Sequence, residues 1–181
     1  MITSTLAKRY ARAFFEIAEE EKQYETYYSE LSLFAAIMKG HGELRAFLSN
    51  PAVDQPGKKA VVEALLTKLQ VSPLTANFLK LLVDKRRIGI LSEIQKNYQE
   101  LMDRTLKKAR ISVKTAFPLS VALSARLREG LEQMTGKQVE MTVQEDASLL
   151  GGLVVQVGDT LYDGSIRTQL NNIRNLLGEE K

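Results

Sequence analysis

The sequence predicts an α+β chain in two parts: an N-terminal six-helix bundle, then a small C-terminal α/β domain with a short sheet and two helices. Three observations carry that expectation. Apolar residues recur every third or fourth position up to about Leu106. After Lys107 and Lys108 the period falls to two. Four glycines and two Gly-Asp or Asp-Gly pairs then crowd the stretch from Gly151 to Leu170.

Each element has its own reason. Thr3 or Ser4 is expected to cap a first helix whose inward row is Leu6, Tyr10, Phe14 and Ile17. A second helix runs from about Gln23 to Met38 with Tyr27, Leu31, Phe34 and Met38 in register, and "GHG" at Gly40 to Gly42 ends it. A short third passes through Leu44 to Leu48 and stops at "SNP". The fourth spans about Gly57 to Leu69 with Val61, Leu65 and Leu69 as its repeat. Ser72 and Pro73 open the fifth, where proline at the first helical position loses no hydrogen bond; its row is Leu74, Phe78, Leu81 and Leu82, and it fades at "KRRIG". The sixth uses Ile90 or Leu91, Ile94, Tyr98, Leu101 and Met102. Short joints between them make a bundle of residues 1–106, joined to residues 107–181 by a helix expected to continue near Leu106 to Arg110.

Beyond the joint, Ile111, Val113 and Thr115 alternate as a half-buried strand ended by Pro118. Ser120 caps a helix carrying Leu123, Leu127, Leu131 and Met134, which Gly136 closes, and Val139, Met141 and Val143 alternate as a second strand. Leu153 to Val157 is too apolar for a wet face. Gly158 and Asp159 make a two-residue turn, and Thr160 to Tyr162 returns antiparallel. Asp163 and Gly164 form the next corner, where Ser165 caps a last helix striped by Ile166, Leu170, Ile173 and Leu177. Gly151 and Gly152 mark a strained or crowded strand start.

Composition sets the function classes aside one by one. The 181 residues are 44% hydrophobic and 26% charged, an ordinary globular balance. A net charge of +3, from 25 basic against 22 acidic side chains, is too small to argue for nucleic acid. The alternative of a helical nucleic-acid binder would use the "KRR" and "KKAR" clusters as backbone contacts, but acids are interspersed throughout. With no cysteine and one histidine, His41, set between glycines in a turn, no zinc ligand set or catalytic relay can be assembled. The glycine-rich stretch lacks the spacing of a phosphate loop, so no catalytic, cofactor or metal residue is expected. The glutamates of "EIAEEEK" face different directions and read as a solvated corner. The basic side chains of "DKRRIG" read as offsetting the dipole in the last turn of the fifth helix. No window reaches the roughly 18 apolar residues of a membrane span.

Two helices carry more apolar surface than a bundle stripe needs. The first adds Ala7, Ala11, Ala13, Phe15 and Ala18, so that Ala7, Ala11, Phe14 and Ala18 form a smooth face another helix could approach; the fifth adds Ala76, Leu79 and Val83. Periodicity leaves open whether this surface is core or contact.

The segments "AKRYARAFFEIA", "FLKLLVDKRRIGILSEI" and "LLGGLVVQVGDTLYDGSIRTQLNNI" resemble the delta subunit of F-type ATP synthases, the oligomycin-sensitivity-conferral protein family. The resemblance implies a non-catalytic stator subunit, and the glutamates that follow "AKRYARAFF" at once, unlike an acid-poor transit peptide, lead us to expect it on the cytoplasmic face of a bacterial plasma membrane. It implies that the first and fifth helices bind the N-terminal helix of an alpha subunit of the catalytic head, through Ala7, Tyr10, Ala11, Ala13, Phe14, Leu81 and Arg87. It implies that the C-terminal domain faces the b subunits of the peripheral stalk. On that reading Ala11→Glu should release the partner helix from a folded domain.

Overall fold

The computed structural model describes residues 2–176 and 178, which divide into two compact units between Met102 and Asp103. The first unit holds α1 (Ile2–Glu21), α2 (Tyr24–Gly40), α3 (Gly42–Ser49), α4 (Gln55–Leu69) and α5 (Pro73–Asp84), then a 3₁₀ turn (Ile88–Ile90) and α6 (Leu91–Thr105). Helix α1 is already running at Ile2, so neither Thr3 nor Ser4 caps it. Ser72 caps α5 as expected, accepting the Thr75 N–H at 3.3 Å with Pro73 at the first helical position.

The core of this unit gathers around aromatic rings. Phe14, Phe34 and Tyr98 are sealed, and Tyr98 donates its hydroxyl to the Tyr24 carbonyl at 3.1 Å. Helix α2 buries Tyr27, Leu31, Phe34, Ala35 and Met38, in the expected register. Helix α4 is turned by one position from the expectation. Its buried row is Val62 and Leu66, while Val61, Leu65 and Leu69 are only half-buried. The turn is fixed by Lys58, also buried, whose ammonium donates to the Asn50 carbonyl at the end of α3, at 2.6 Å.

The expected basic last turn of α5 is absent because the helix ends at Asp84. Arg86 adopts a left-handed conformation, φ 54°, and the N–H groups of Arg86 and Arg87 close back on the Val83 and Leu82 carbonyls at 2.9 and 2.7 Å. The joint after α6 is likewise not helical. Lys107 turns left-handed at φ 51° and a strand begins at Lys108.

The second unit is a sheet of β1 (Lys108–Thr115), β2 (Gln138–Glu145), β3 (Leu153–Val157) and β4 (Thr160–Asp163), with α7 (Val121–Thr135) and α8 (Ile166–Leu176). Its strand order is β2-β1-β3-β4. Strand β1 runs parallel to β2 with Ile111 opposite Met141, and antiparallel to β3 with Ile111 opposite Val157. The parallel pair needs a crossover, which α7 supplies between Ser120 and Gly136. One face of the sheet collects Ile111, Val113, Val139 and Val155 under Leu131. Only Leu131 of α7 is buried; Leu123 and Met134, further along the same stripe, remain about half exposed, and Val143, on the core face of β2, is only partly covered. Strand β1 ends at Thr115, three residues before Pro118.

The glycine-rich stretch folds back on itself. Gly158 and Asp159 form the two-residue turn between β3 and β4, with Gly158 at φ 58°. At the next corner Asp163 accepts the Ser165 N–H and the Thr168 hydroxyl, each at 2.9 Å, and Ser165 Oγ accepts the Thr168 N–H at 3.3 Å. The Ile166 N–H reaches the Gly151 carbonyl and the Gly164 N–H reaches the Leu153 carbonyl, both at 3.0 Å. A side chain on Gly152, at φ 77°, would collide with the Gly164 carbonyl, and one on Gly151 with Ile166. The stripe of α8 is not a core stripe: Ile166, Leu170 and Ile173 are 44%, 53% and 53% exposed, and Leu177 lies outside the described residues.

Candidate functional site

The two faces of α1 exchange the roles expected of them. Ala7, Ala11 and Ala18 have no exposed surface and lie in the core with Phe14 and Phe15. Small side chains at this spacing let neighbouring helices approach closely, which is why they turn inward. The larger Leu6 and Tyr10 are half-buried on the other side, and Ile17 is exposed. On α5, Leu79 and Val83 are buried and Leu81 points out, 42% exposed.

A groove of about 380 Å³ results, to which α1 contributes Leu6, Arg9, Tyr10, Ala13, Phe14 and Ile17 and α5 contributes Phe78 and Leu81. Its floor is aromatic: Phe14 stacks on Phe78 with centroids 4.3 Å apart, and Tyr10 meets Phe78 edge-on at 6.5 Å. From below, Phe14 touches Tyr27 and Tyr98 at 5.7 and 5.6 Å. The Tyr27 hydroxyl donates to Glu21; that bond, more than burial, pushes its pKa up to about 12.

Both ends of α5 are anchored to neighbouring helices. The Glu30 carboxylate of α2 accepts the Ser72 N–H at 2.7 Å and the Ser72 hydroxyl at 2.6 Å, and also takes the Thr75 hydroxyl. Toward the other end, Lys59 and Glu63 of α4 pair with Asp84 and Lys80 at 2.7 and 2.8 Å. The Gln55 amide, turned to satisfy both its atoms, bridges the Val83 carbonyl and Arg86 Nε. The groove carries no nucleophile, and among the described residues no three His, Asp or Glu side chains gather as a metal set.

Of the residues expected to meet a partner, Tyr10, Ala13, Phe14 and Leu81 line the groove. Ala7 and Ala11 form its sealed underside and cannot touch anything outside the unit, and Arg87 lies beyond the end of α5 and is not part of the lining. Sequence reasoning assigned Leu6, Ile17 and Phe78 to the core and did not single out Arg9. Leu6, Tyr10, Ala13 and Ile17 share one face by helical spacing, so the signal was present with its direction reversed. Of the KKAR cluster named for the nucleic-acid alternative, Arg110 is engaged within its own unit, pairing with Asp103 at 2.8 Å and with Glu140 at 3.0 Å.

The model of the ATP synthase delta (OSCP) subunit family matches residues 6–177. The chain belongs to this family. The delta subunit of Syntrophus aciditrophicus is 63% identical over 99% of both chains, and that of Desulfatibacillum aliphaticivorans 42% identical over 95% of this chain and 94% of its own. Among solved structures, a chain in the Toxoplasma gondii mitochondrial ATP synthase hexamer superposes with a TM-score of 0.70 at 27% identity, covering 97% of this chain and 99% of that one. A chain in the Polytomella F-ATP synthase head and rotor matches 53% of this chain and 84% of its own with a TM-score of 0.50. The protein is thus a delta (OSCP) subunit of an F-type ATP synthase. No helix among the described residues is long and apolar enough to cross a membrane.

Proposed function

We propose that this delta subunit is a non-catalytic stator connector whose six-helix bundle grips the catalytic head and whose C-terminal domain faces the peripheral stalk. A rotor turning inside the head drags the head with it unless an external tie resists. The groove between α1 and α5 is the observation that carries the reading, because its open apolar walls and aromatic floor suit one amphipathic helix. The occupant is the N-terminal helix of an alpha subunit. Each leucine-sized side chain seated there contributes about 1.5–3 kcal/mol. Three or four such anchors offset much of the association cost of about 4–15 kcal/mol.

The exposed stripe of α8, Ile166, Leu170 and Ile173, supports a second contact on the C-terminal domain, with the b subunits. Two contacts within one complex raise the effective concentration of each, so the tie holds when either opens briefly. The subunit works on the cytoplasmic face of a bacterial plasma membrane, held there through its partners. Calorimetric titration with a synthetic alpha-subunit N-terminal peptide tests the reading. Binding should be lost in a folded Leu81→Asp chain, and undiminished binding by that variant would overturn the groove assignment.

A further inference from the structure

We infer that the groove is directional, with Arg9 and Glu20 orienting the helix that enters it; this rests on the groove being a helix site, as proposed above. Arg9 lines the groove, is exposed, and has no ion-pair partner among the described residues. The neighbouring charges are engaged elsewhere: Arg12 is held by Glu16 at 3.0 Å, and Lys80 and Asp84 of α5 are paired across to α4. Glu20, which stands outside the groove lining but on the same face as Arg9 by helical spacing, is likewise exposed and has no ion-pair partner among the described residues. It follows Arg9 by eleven residues and Ile17 by three, three helical turns and about 16 Å further along the same face.

The α1 rim is therefore positive near its N-terminal half and negative past Ile17. A helix carrying a carboxylate in its first turn and a lysine or arginine three turns later satisfies both charges only when it runs parallel to α1. Acid before base is also the order that offsets a helix's own macrodipole, so a ligand helix of ordinary charge pattern enters in that direction. A second copy of this chain fits badly, because the apolar stripe of α8 is flanked by Arg167 and Arg174 with no acid to meet Arg9.

Two synthetic amphipathic peptides with identical apolar stripes test this on the full chain. One carries Glu in its first turn and Lys eleven residues later; the other has Gln at both positions. Each bears a nitroxide at its N-terminus. The charged peptide should bind about three- to ten-fold more tightly at low salt, with the advantage shrinking as salt is raised. Its label should broaden amide signals at the Leu6 end of α1 alone, whereas the neutral peptide broadens both ends. In the double variant Arg9→Glu with Glu20→Arg the charged peptide should turn round and broaden the Ile17 end. Equal affinities, or an unchanged direction in the double variant, would overturn the directional inference while leaving the groove intact. If neither peptide binds the folded chain, the groove reading fails with it.

Discussion

Ala11 and Ala13 are two residues apart on α1, and substitution by glutamate should separate their roles cleanly. Ala11 has no exposed surface and sits between Ala7 and Ala18 at the closest approach to the core. A glutamate there overpacks the contact, costing about 1–3 kcal/mol. It also buries a carboxylate with no cation against it, a penalty of several kcal/mol more. The sum, about 5 kcal/mol or above, is comparable to the whole stability of a typical domain at roughly 5–15 kcal/mol. At about 4–8 °C per kcal/mol for a unit of this size, Ala11→Glu should lower the melting temperature by more than about 20 °C or prevent folding.

Ala13 is exposed and faces the groove. Ala13→Glu should move stability by no more than about 0.5 kcal/mol, a melting shift of a few degrees. In the complex it sets a carboxylate against the occupant's apolar stripe, at a cost of about 2–4 kcal/mol. Affinity should then fall between roughly 30-fold and 1000-fold. Thermal melts followed by circular dichroism, paired with calorimetry against the alpha-subunit peptide, read both quantities. An Ala11→Glu chain that melts like wild type would refute the inward placement of the alanine row. An Ala13→Glu chain that binds like wild type would refute its outward counterpart.

Three further expectations follow from the C-terminal unit. Gly152→Ala should destabilise it by about 2 kcal/mol or more in thermal melts, given φ 77° and the Gly164 carbonyl in the way, while Gly130→Ala, in open space within α7, should stabilise it by about 0.5–1 kcal/mol. The Ser165 N–H, with the Ser165 and Thr168 hydroxyls, holds the Asp163 carboxyl below its ordinary pKa, so its ionised form stabilises the fold above the unfolded-state value near 4, and that contribution is lost as pH falls through the lower folded value. Melts of Asp163→Asn against wild type should therefore differ at pH 7 and converge in acid. Leu170→Asp, on the open stripe of α8, should leave the melting temperature nearly unchanged but weaken co-purification with the b subunits.

What could be read from the sequence was mostly local chemistry. Ser72 before Pro73, Ser120 and Gly136 around α7, and Gly158-Asp159 between short strands each fix a backbone geometry through atoms one to four residues away, so no knowledge of the rest of the chain is needed. The phase of the helices was different in kind. Helix α1 is apolar over more than half its circumference from Leu6 to Ala18, with Lys8, Arg9, Arg12 and Glu16 on the remainder, and periodicity does not say which part of so wide a stripe faces inward. Side-chain size held the missing information, since alanines belong where backbones come closest and larger residues where a third helix leaves room. Helix α4 failed for another reason: a lysine belongs to its buried row, and only the Asn50 carbonyl at the end of α3, invisible to pattern reading, makes that burial tolerable.

The same limit explains why the apolar stripe of α8 was legible and its exposure was not. Hydrophobic spacing records that a face is meant to be covered, and it does so identically whether the cover is the chain's own core or another protein. Each unit of this subunit leaves such a face unfilled, the groove in one and Ile166, Leu170 and Ile173 in the other. Because a tie between head and stalk must hold two partners that never touch the same surface, apolar area withheld from two separate cores is the arrangement the proposed stator role requires. A single larger core would give a more stable monomer, but it would leave nothing for the second partner to hold.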